Sequence, residues 1–318
     1  MLAQVGSFVL GVVLLMLGAD SLARGIGGLA LRSGASSFGV GLASTALSAL
    51  VPALAVTLAA GYARQPELAF GSLVGGSIAQ IGLVLGLCAL AAPLRARLKL
   101  FRRANPALIA AGLLLWLLSL DARIGMFDGA ILILAWFLVA ALVVGDARTE
   151  NEEVRNEIAA ATGTAMLVWR DAARVVVGAV VLPFAAVWLV DGALYFANAC
   201  GTSPVVVGLT LLGAATALAS VPPTLIAARL GQGDFAIGHA FGAVIGSVLL
   251  LTGLLALWQP IGAARSLQHI EIPALIVLAV AIYPMMRSDG ELSRREGVIL
   301  VAAYALFLIG EAWLTHST

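Results

Sequence analysis

Charged residues are scarce in this chain. Of its 318 residues, 61% are hydrophobic and only 11% are charged, whereas soluble domains carry about 25% charged residues. So few charges cannot cover a globular surface in water, which excludes a soluble protein and indicates an integral membrane protein surrounded by a lipid bilayer. The net charge of +1 argues against nucleic acid as a partner.

Cysteine is almost absent as well. The two cysteines, Cys88 and Cys200, lie in or beside apolar runs and provide neither a disulfide framework nor a metal-ligand spacing. The N-terminal segment lacks a basic region and an evident cleavage site, so it predicts a retained membrane span rather than a signal peptide. We expect no cofactor.

Long apolar runs make up most of the chain. The polar segment 146–174 separates two halves, residues 1–145 and 175–318, with five predicted spans in each. Because five is odd, the halves would have opposite orientations, which predicts an all-α membrane protein of ten transmembrane helices in two inverted five-helix repeats. A span needs about 20 apolar residues, and the runs that approach this length lie near 3–22, 38–61, 68–91, 104–120, 126–144, 175–199, 205–230, 235–258, 271–286 and 298–314.

The basic residues predict the orientation. If the N-terminus lies outside, all but three of the 18 basic residues fall in cytoplasmic loops, and the exceptions are Arg64, Arg123 and Arg265. An excess of Lys and Arg marks the cytoplasmic side of membrane proteins. We therefore expect both termini outside, a cytoplasmic central linker and a plasma membrane such as the bacterial inner membrane.

One stretch of the chain occurs twice. Val40–Leu90 aligns without a gap onto Val207–Leu257, at a constant offset of 167 residues. Both copies are apolar enough to cross a bilayer twice. Proline interrupts each copy at mid-span, as Pro52 in the first and as Pro222 and Pro223 in the second. Paired, interrupted membrane segments are typical of secondary transporters whose substrate site lies between the repeats.

The repeated segments resemble those of a known family. The residues that carry the resemblance are Ala49–Ala53 and Thr216–Ser220, together with RQPELAFGSLVGGSI in the first copy and GQGDFAIGHAFGAVIGS in the second. They are similar to the G-T-S-L-P-E-like and G-N-x-x-G-S-N-I-x-N-like stretches of the calcium/cation antiporter superfamily, which includes the sodium/calcium exchangers. The resemblance covers nearly the whole chain and implies ten spans, outward termini and cation antiport by alternating access.

The resemblance also implies where an ion would bind. It places Ala53 and Ser220 at the positions of the family's glutamates, and Gln80 and Ser247 at those of its final Asn or Asp. Calcium prefers about six to eight oxygens, including carboxylates, so we expect a centre of neutral oxygens to bind calcium weakly or not at all. The predicted ion or solute pathway comprises Ser48, Ala49, Ala53, Ser77, Gln80, Thr216, Ser220, His239 and Ser247.

Two functions remain open at this point. The first is secondary active transport, without enzymatic chemistry, of a monovalent cation, a proton-coupled solute or an undetermined substrate. The second is a non-transporting scaffold or partner subunit that keeps the exchanger fold. Convergence of Gln80, Ser220 and Ser247 on one hydrated cavity would favour transport, whereas a dry, packed centre would favour the scaffold.

Three ionisable residues allow two interpretations each. Asp20 and Asp191 lie near the ends of spans, where a carboxylate is either functional or simply paired with a neighbour such as Arg24. His239 could relay protons, because imidazole titrates near neutral pH. It could equally be a helix-entry histidine bonded to the opposite repeat.

Overall fold

A computed structural model describes residues 2–32, 37–95, 98–147, 168–287 and 290–317. Side chains are described for 4–29, 50–95, 104–142, 168–286 and 290–313. The chain is almost entirely helical, as its long apolar runs predict, because only a helix satisfies its own backbone polar groups in lipid. The helices are α1 (Leu2–Arg32), α2 (Ser37–Tyr62), α3 (Pro66–Ala79), α4 (Gly86–Ala91), α5 (Leu98–Ser119), α6 (Met126–Ala147), α7 (Val168–Cys200), α8 (Pro204–Val207), α9 (Gly213–Ala219), α10 (Val221–Arg229), α11 (Gly233–Ile245), α12 (Thr252–Trp258), α13 (Ile272–Arg287) and α14 (Arg294–Ser317).

Several long helices contain a π-helical segment, in which one extra residue widens the turn. In three cases the segment joins two α-helices into one continuous rod, and in the fourth it precedes α13. The two segments that follow α3 and α11 occupy equivalent places in the two repeats. The π-helical segments are Gln80–Leu85, Gly208–Leu212, Gly246–Leu251 and Leu267–Glu271.

The described residues contain six helices long and apolar enough to cross a membrane, or seven if the bent pair Pro204–Ala219 and Val221–Arg229 is one span. Three further apolar helices are shorter within the described residues: Leu50–Tyr62, Ala104–Ser119 and Met126–Leu142. The protein is an all-α membrane protein, and ten spans remain a prediction. One predicted boundary differs, because α7 begins at Val168 and extends the sixth span into the predicted linker.

Two short antiparallel ribbons join the halves of the chain. Strand β1 (Leu94–Arg95) pairs with β4 (Glu291–Leu292), and β2 (Arg123–Ile124) pairs with β3 (Ile261–Gly262). Strand β1 follows α4 as β3 follows α12, at the 167-residue offset of the sequence repeat. Each ribbon therefore takes one strand from each half, and exchanging the halves converts one ribbon into the other.

The centre of the bundle is formed by the helices of the sequence repeat. In Pro66–Ala91 and Gly233–Trp258, 78% of the most apolar window is buried, against 22% in Gln4–Leu29. Glycine allows the central backbones to touch, since a Cβ added at Gly71 would lie 2.5 Å from the Val205 carbonyl oxygen. This is the close approach that small residues at a four-residue spacing permit between membrane helices.

Helices α1 and α7 form an antiparallel pair at the edge of this centre. The ring of Phe8 meets that of Phe196 edge-on at 5.8 Å, and Gly18 of α1 faces Leu182 of α7. The outer faces of both helices are apolar and exposed, with Leu17 61% exposed. In water this surface would be unfavourable, and in a bilayer it meets lipid.

Candidate functional site

A small cavity lies between the central helices of the two halves. About 20 Å³ of it is open to the centre of a water molecule, which is enough for one water or one ion of similar size. Its walls come from α2, α3, α9 and α11, from the residue between α9 and α10, and from two π-helical segments. The lining residues are Ala53, Ser72, Leu73, Gly76, Ser77, Gln80, Thr216, Ala217, Ser220, Ala243, Val244 and Ser247.

The lining repeats itself at the sequence offset. Ala53 of the first half corresponds to Ser220 of the second, and Gln80 corresponds to Ser247. Equivalent positions of an inverted repeat meet only near the axis that relates the halves. The cavity therefore lies at the repeat interface, which is where the sequence pattern predicts a site.

The helix that contributes Thr216 and Ser220 is broken. Helix α9 ends at Ala219, α10 begins at Val221, and the two are bent by 47°. Pro222 and Pro223 cause the break because they lie two and three residues after Ser220 and have no N–H to continue the helical hydrogen bonds. The predicted interruption is thus confirmed in the second copy, whereas α2 continues through its single Pro52.

Gln80 and Ser247, which occupy equivalent positions in the two repeats, both lie in π-helical turns. Gln80 is the first residue of Gln80–Leu85, and Ser247 is the second of Gly246–Leu251. The wide turn is visible in the hydroxyl of Thr252, which donates to the Ser247 carbonyl oxygen five residues earlier at 3.0 Å. Turns of this kind are frequent at functional sites.

Two hydroxyl groups that line the cavity donate their protons to backbone carbonyl oxygens. The Ser77 hydroxyl donates to the Leu73 carbonyl oxygen at 2.7 Å, and the Thr216 hydroxyl donates to that of Gly213 at 2.9 Å. A hydroxyl oxygen keeps lone pairs after its proton is given away. These oxygens are therefore oriented as acceptors, the polarity that a cation requires.

A matched pair of threonines fixes the backbone beside the cavity. The Thr57 hydroxyl donates to the Ala53 carbonyl oxygen at 2.7 Å, and the Thr224 hydroxyl donates to that of Ser220 at 2.6 Å. Both threonines are buried, so neither bond competes with water. The same kind of hydrogen bond thus stabilises both helices at the equivalent positions Ala53 and Ser220.

Among the residues whose side chains the structure describes, none that lines the cavity is ionisable. The side-chain amide nitrogen of Gln80 is buried and has no hydrogen-bond partner among the described residues. A buried donor without a partner is costly, so a bound water or solute that satisfies it would stabilise this arrangement. The chemistry available is that of neutral oxygens and one amide.

The structure brings together six of the nine predicted pathway residues: Ala53, Ser77, Gln80, Thr216, Ser220 and Ser247. His239 is buried outside the lining, with its ring stacked on that of Phe235 at 6.0 Å. The side chains of Ser48 and Ala49 lie outside the described residues. Ser72 lines the cavity but was not among the nine predicted residues. Its alignment with His239, which was among them, could have identified it from the sequence.

Of the two span-end carboxylates, Asp20 has the simpler explanation. It accepts a hydrogen bond from the Arg24 guanidinium at 2.8 Å one helical turn away, and both side chains are exposed. Such a pair contributes little to stability. Asp191 is also exposed, and neither residue lines the cavity.

Comparison with known proteins agrees with this architecture. The sequence model of the family "Sodium/calcium exchanger protein" matches residues 3–145 and 172–313. The chain belongs to this family. The sodium-calcium exchanger NCX_Mj has the same fold, with a TM-score of 0.67 and 23% identity over 96% of this chain and 97% of that chain.

Three curated relatives match over nearly their full lengths. The putative antiporter CaxA of Alkalimonas amylolytica is 27% identical, covering 97% of each chain. The inner membrane protein YrbG of Escherichia coli is 25% identical, covering 99% of this chain and 98% of the relative. The sodium/calcium exchanger MaX1 of Methanosarcina acetivorans is 23% identical, covering 94% and 96%. The protein is accordingly a membrane transporter of the cation antiporter class and not an enzyme.

Proposed function

We propose that the protein exchanges a monovalent cation across the membrane through the central cavity by alternating access. The observation that carries the proposal is the convergence of Gln80, Ser220 and Ser247, from both halves of the chain, on one cavity. The described side chains that line it include no charged group. A scaffold without transport would have no need for oriented acceptor oxygens in a polar, water-sized cavity at its centre.

The absence of charge among the described lining residues favours a monovalent ion. The cost of removing an ion from water grows with the square of its charge, and uncompensated burial is expensive. A dication therefore needs carboxylates, and the lining has Ala53 and Ser220 where the family resemblance places glutamates. The same oxygens are better suited to a single positive charge. Calcium is expected to bind weakly or not at all.

The two ribbons support the proposed ten-span topology. Strand β1 lies in the connection that follows the third predicted span, and β4 lies in the connection between the ninth and tenth spans. The basic residues assign both connections to the cytoplasm. Strands β2 and β3 lie in connections assigned to the outside. Each pairing joins segments on the same predicted side, as it must. The proposal places the protein in the inner membrane, with residues 1–145 and 175–318 as inverted repeats around a cytoplasmic linker.

The α1–α7 pair is the proposed moving element. These two helices pack mainly on each other, and they contact the central helices through α2, α8 and α9. Rocking of one helix bundle against another around a fixed site is the usual mechanism of transporters with inverted repeats. In this protein the fixed site would be the cavity and its glycine-lined helix crossing.

The test is cation flux into proteoliposomes, with sodium, potassium, protons and calcium supplied in turn. Ser220→Ala and Gln80→Leu each remove one polar ligand, and a hydrogen bond to a charged group contributes about 1.5–3 kcal/mol. Each should therefore weaken the apparent affinity for the transported ion by roughly tenfold or more. Calcium should neither be carried nor compete.

The matched control is Ser119→Ala. Its hydroxyl donates to the Trp116 carbonyl oxygen at 2.8 Å, much as Ser77 donates within α3, but it lies away from the cavity. This variant should retain the native affinity. Absence of flux for every cation in well-folded native protein would refute transport and favour the scaffold.

A further inference from the structure

A second pocket opens at one end of the bundle, away from the central cavity. It lies where α2 ends at Tyr62 and α12 ends at Trp258, and about 550 Å³ of it is open to the centre of a water molecule. Pockets that hold small ligands have volumes of about 300–1,000 Å³. The lining residues are Gly61, Tyr62, Arg64, Pro66, Trp258, Gln259 and Pro260.

The aromatic wall of this pocket is fixed by contacts between the two halves of the chain. The rings of Tyr62 and Trp258 meet edge-on with their centroids 4.9 Å apart. Gly61 lies against the indole ring, because a Cβ added there would overlap it. The side-chain amide of Gln259 donates to the Gly61 carbonyl oxygen at 2.8 Å. The wall therefore has its shape before a ligand arrives, which lowers the cost of binding.

Arg64 occupies a backbone position that favours glycine. Its φ is 55°, in the left-handed region. The repeat offset pairs Arg64 with Gly231, whose φ is 78°. The second copy thus makes the same kind of turn with a residue that adopts it without steric cost, whereas an arginine there is strained. Such strain is concentrated at functional sites such as ligand clamps.

The other end of the bundle does not repeat this pocket's chemistry. Three of the lining side chains have a residue of another type at the equivalent position of the other repeat: Tyr62 pairs with Arg229, Trp258 with Ala91 and Gln259 with Ala92. The inverted-repeat fold is therefore compatible with other residues at these positions. The aromatic pair and the arginine belong to this end of the molecule alone.

The charge of the pocket is positive. Arg64 is exposed, and among the described lining residues it alone is charged. The nearest acid in sequence, Glu67, does not line the pocket. Its carboxylate lies beside Gly262, where an added Cβ would be 2.7 Å from Oε1. The pocket thus offers a guanidinium group to an anion.

An apolar surface leads from the pocket towards the middle of the bilayer. Tyr62 and Trp258 are the last residues of the apolar helices Leu50–Tyr62 and Gly233–Trp258, and aromatic residues at such ends lie at the level of the lipid headgroups. One turn before each aromatic residue, on the same helix face, lies an exposed leucine: Leu58 and Leu254.

We infer that this pocket binds the headgroup of a phospholipid. Arg64 would contact the phosphate, for which a guanidinium supplies parallel N–H donors. The rings of Tyr62 and Trp258, each with an apolar body and a polar tip, suit the boundary between headgroup and acyl chain. An acyl chain would follow Leu58 and Leu254. A free phosphate ion would contact Arg64 but leave the aromatic wall and the leucines uncovered, so the lipid fits the whole surface better.

The test is native mass spectrometry of the full-length protein in detergent, titrated with phosphatidylglycerol. Arg64→Gly should weaken the apparent affinity for the lipid roughly tenfold or more, the usual size of a lost hydrogen bond to a charged group. The variant should unfold no more easily than the native protein in lipid-free detergent, because glycine suits the turn. Arg64→Lys keeps the charge without the parallel donors and should bind with intermediate affinity.

The matched control is Arg265→Gln. Arg265 is exposed on the same predicted side and does not line the pocket, so this variant should bind phosphatidylglycerol as the native protein does. A second comparison separates a lipid from a soluble anion. Leu58→Gln should weaken lipid binding several-fold, because it removes apolar contact with the acyl chain, and inorganic phosphate at millimolar concentration should not displace the lipid.

Three results would overturn the inference. The first is equal affinity for phosphatidylglycerol in the native protein, Arg64→Gly and Arg64→Lys. The second is an equal loss in Arg265→Gln, which would indicate general attraction of an anionic lipid to surface charge. The third is displacement by inorganic phosphate with no effect of Leu58→Gln, which would make the ligand a soluble anion. Arg64→Lys decides the question even if Arg64→Gly does not fold. None of these measurements depends on whether the central cavity transports an ion.

Discussion

Gly75 is the position at which one added methyl group should do the most damage. A Cβ there would overlap the Leu209 carbonyl oxygen and lie 2.6 Å from the carbonyl carbon and the Cα of that residue. These atoms are backbone, so the clash cannot be relieved by a rotamer change. Bringing the two carbon atoms from 2.6 Å to ordinary contact at 3.4 Å already requires α3 and the segment Gly208–Leu212 to separate by about 0.8 Å, and the closer oxygen requires more.

Gly75→Ala should therefore lower the free energy of unfolding by about 1–3 kcal/mol, the cost of overpacking a tight core. The gain in helix propensity, about 0.8–1 kcal/mol, offsets only part of this cost. It should also impair transport, because Gln80 and Thr216 line the cavity from the helical segments that directly continue the two that must separate. Unfolding in detergent and flux in proteoliposomes measure both effects.

The control for this prediction is Gly6→Ala in α1. Gly6 is exposed, and a Cβ there meets no described atom within 4 Å. It should therefore be neutral or slightly stabilising through helix propensity. If Gly75→Ala were as stable and as active as Gly6→Ala, the helices would not cross at backbone contact, and the geometry of the cavity would have to be revised.

Two further predictions concern topology and calcium. A reporter protein fused after Arg103 or within 146–174 should be cytoplasmic, and one fused at the C-terminus should be external. This is the orientation in which all but three of the 18 basic residues face the cytoplasm. A cytoplasmic C-terminus would contradict the ten-span arrangement. The double change Ala53→Glu and Ser220→Glu should create a calcium site, with stabilisation of about 2.7 kcal/mol at a hundredfold excess of calcium over its dissociation constant. Unfolding in detergent with and without calcium measures this stabilisation, and the native chain should not respond to calcium. A folded double variant whose stability does not change with calcium would refute the placement of Ala53 and Ser220 around one cavity.

The location of the cavity could be predicted from the sequence because the internal repeat indicates where the two halves meet. The offset aligns Gln80 with Ser247, and the interrupted membrane segments of inverted-repeat transporters form the site at the repeat interface, which is where both residues lie. The break at Ser220 was predictable for a local reason, since two consecutive prolines remove two N–H donors. Both features follow from patterns in the sequence and do not depend on how distant segments pack.

Other features depend on packing and leave no local signal. The π-helical turns at Gln80–Leu85 and Gly246–Leu251 contain ordinary apolar residues, and nothing in those residues distinguishes them from an α-helix. The ribbon between Leu94–Arg95 and Glu291–Leu292 joins segments almost 200 residues apart. In the sequence Glu271 and Glu311 are acids near the ends of predicted spans, and their burial becomes visible only in the folded chain.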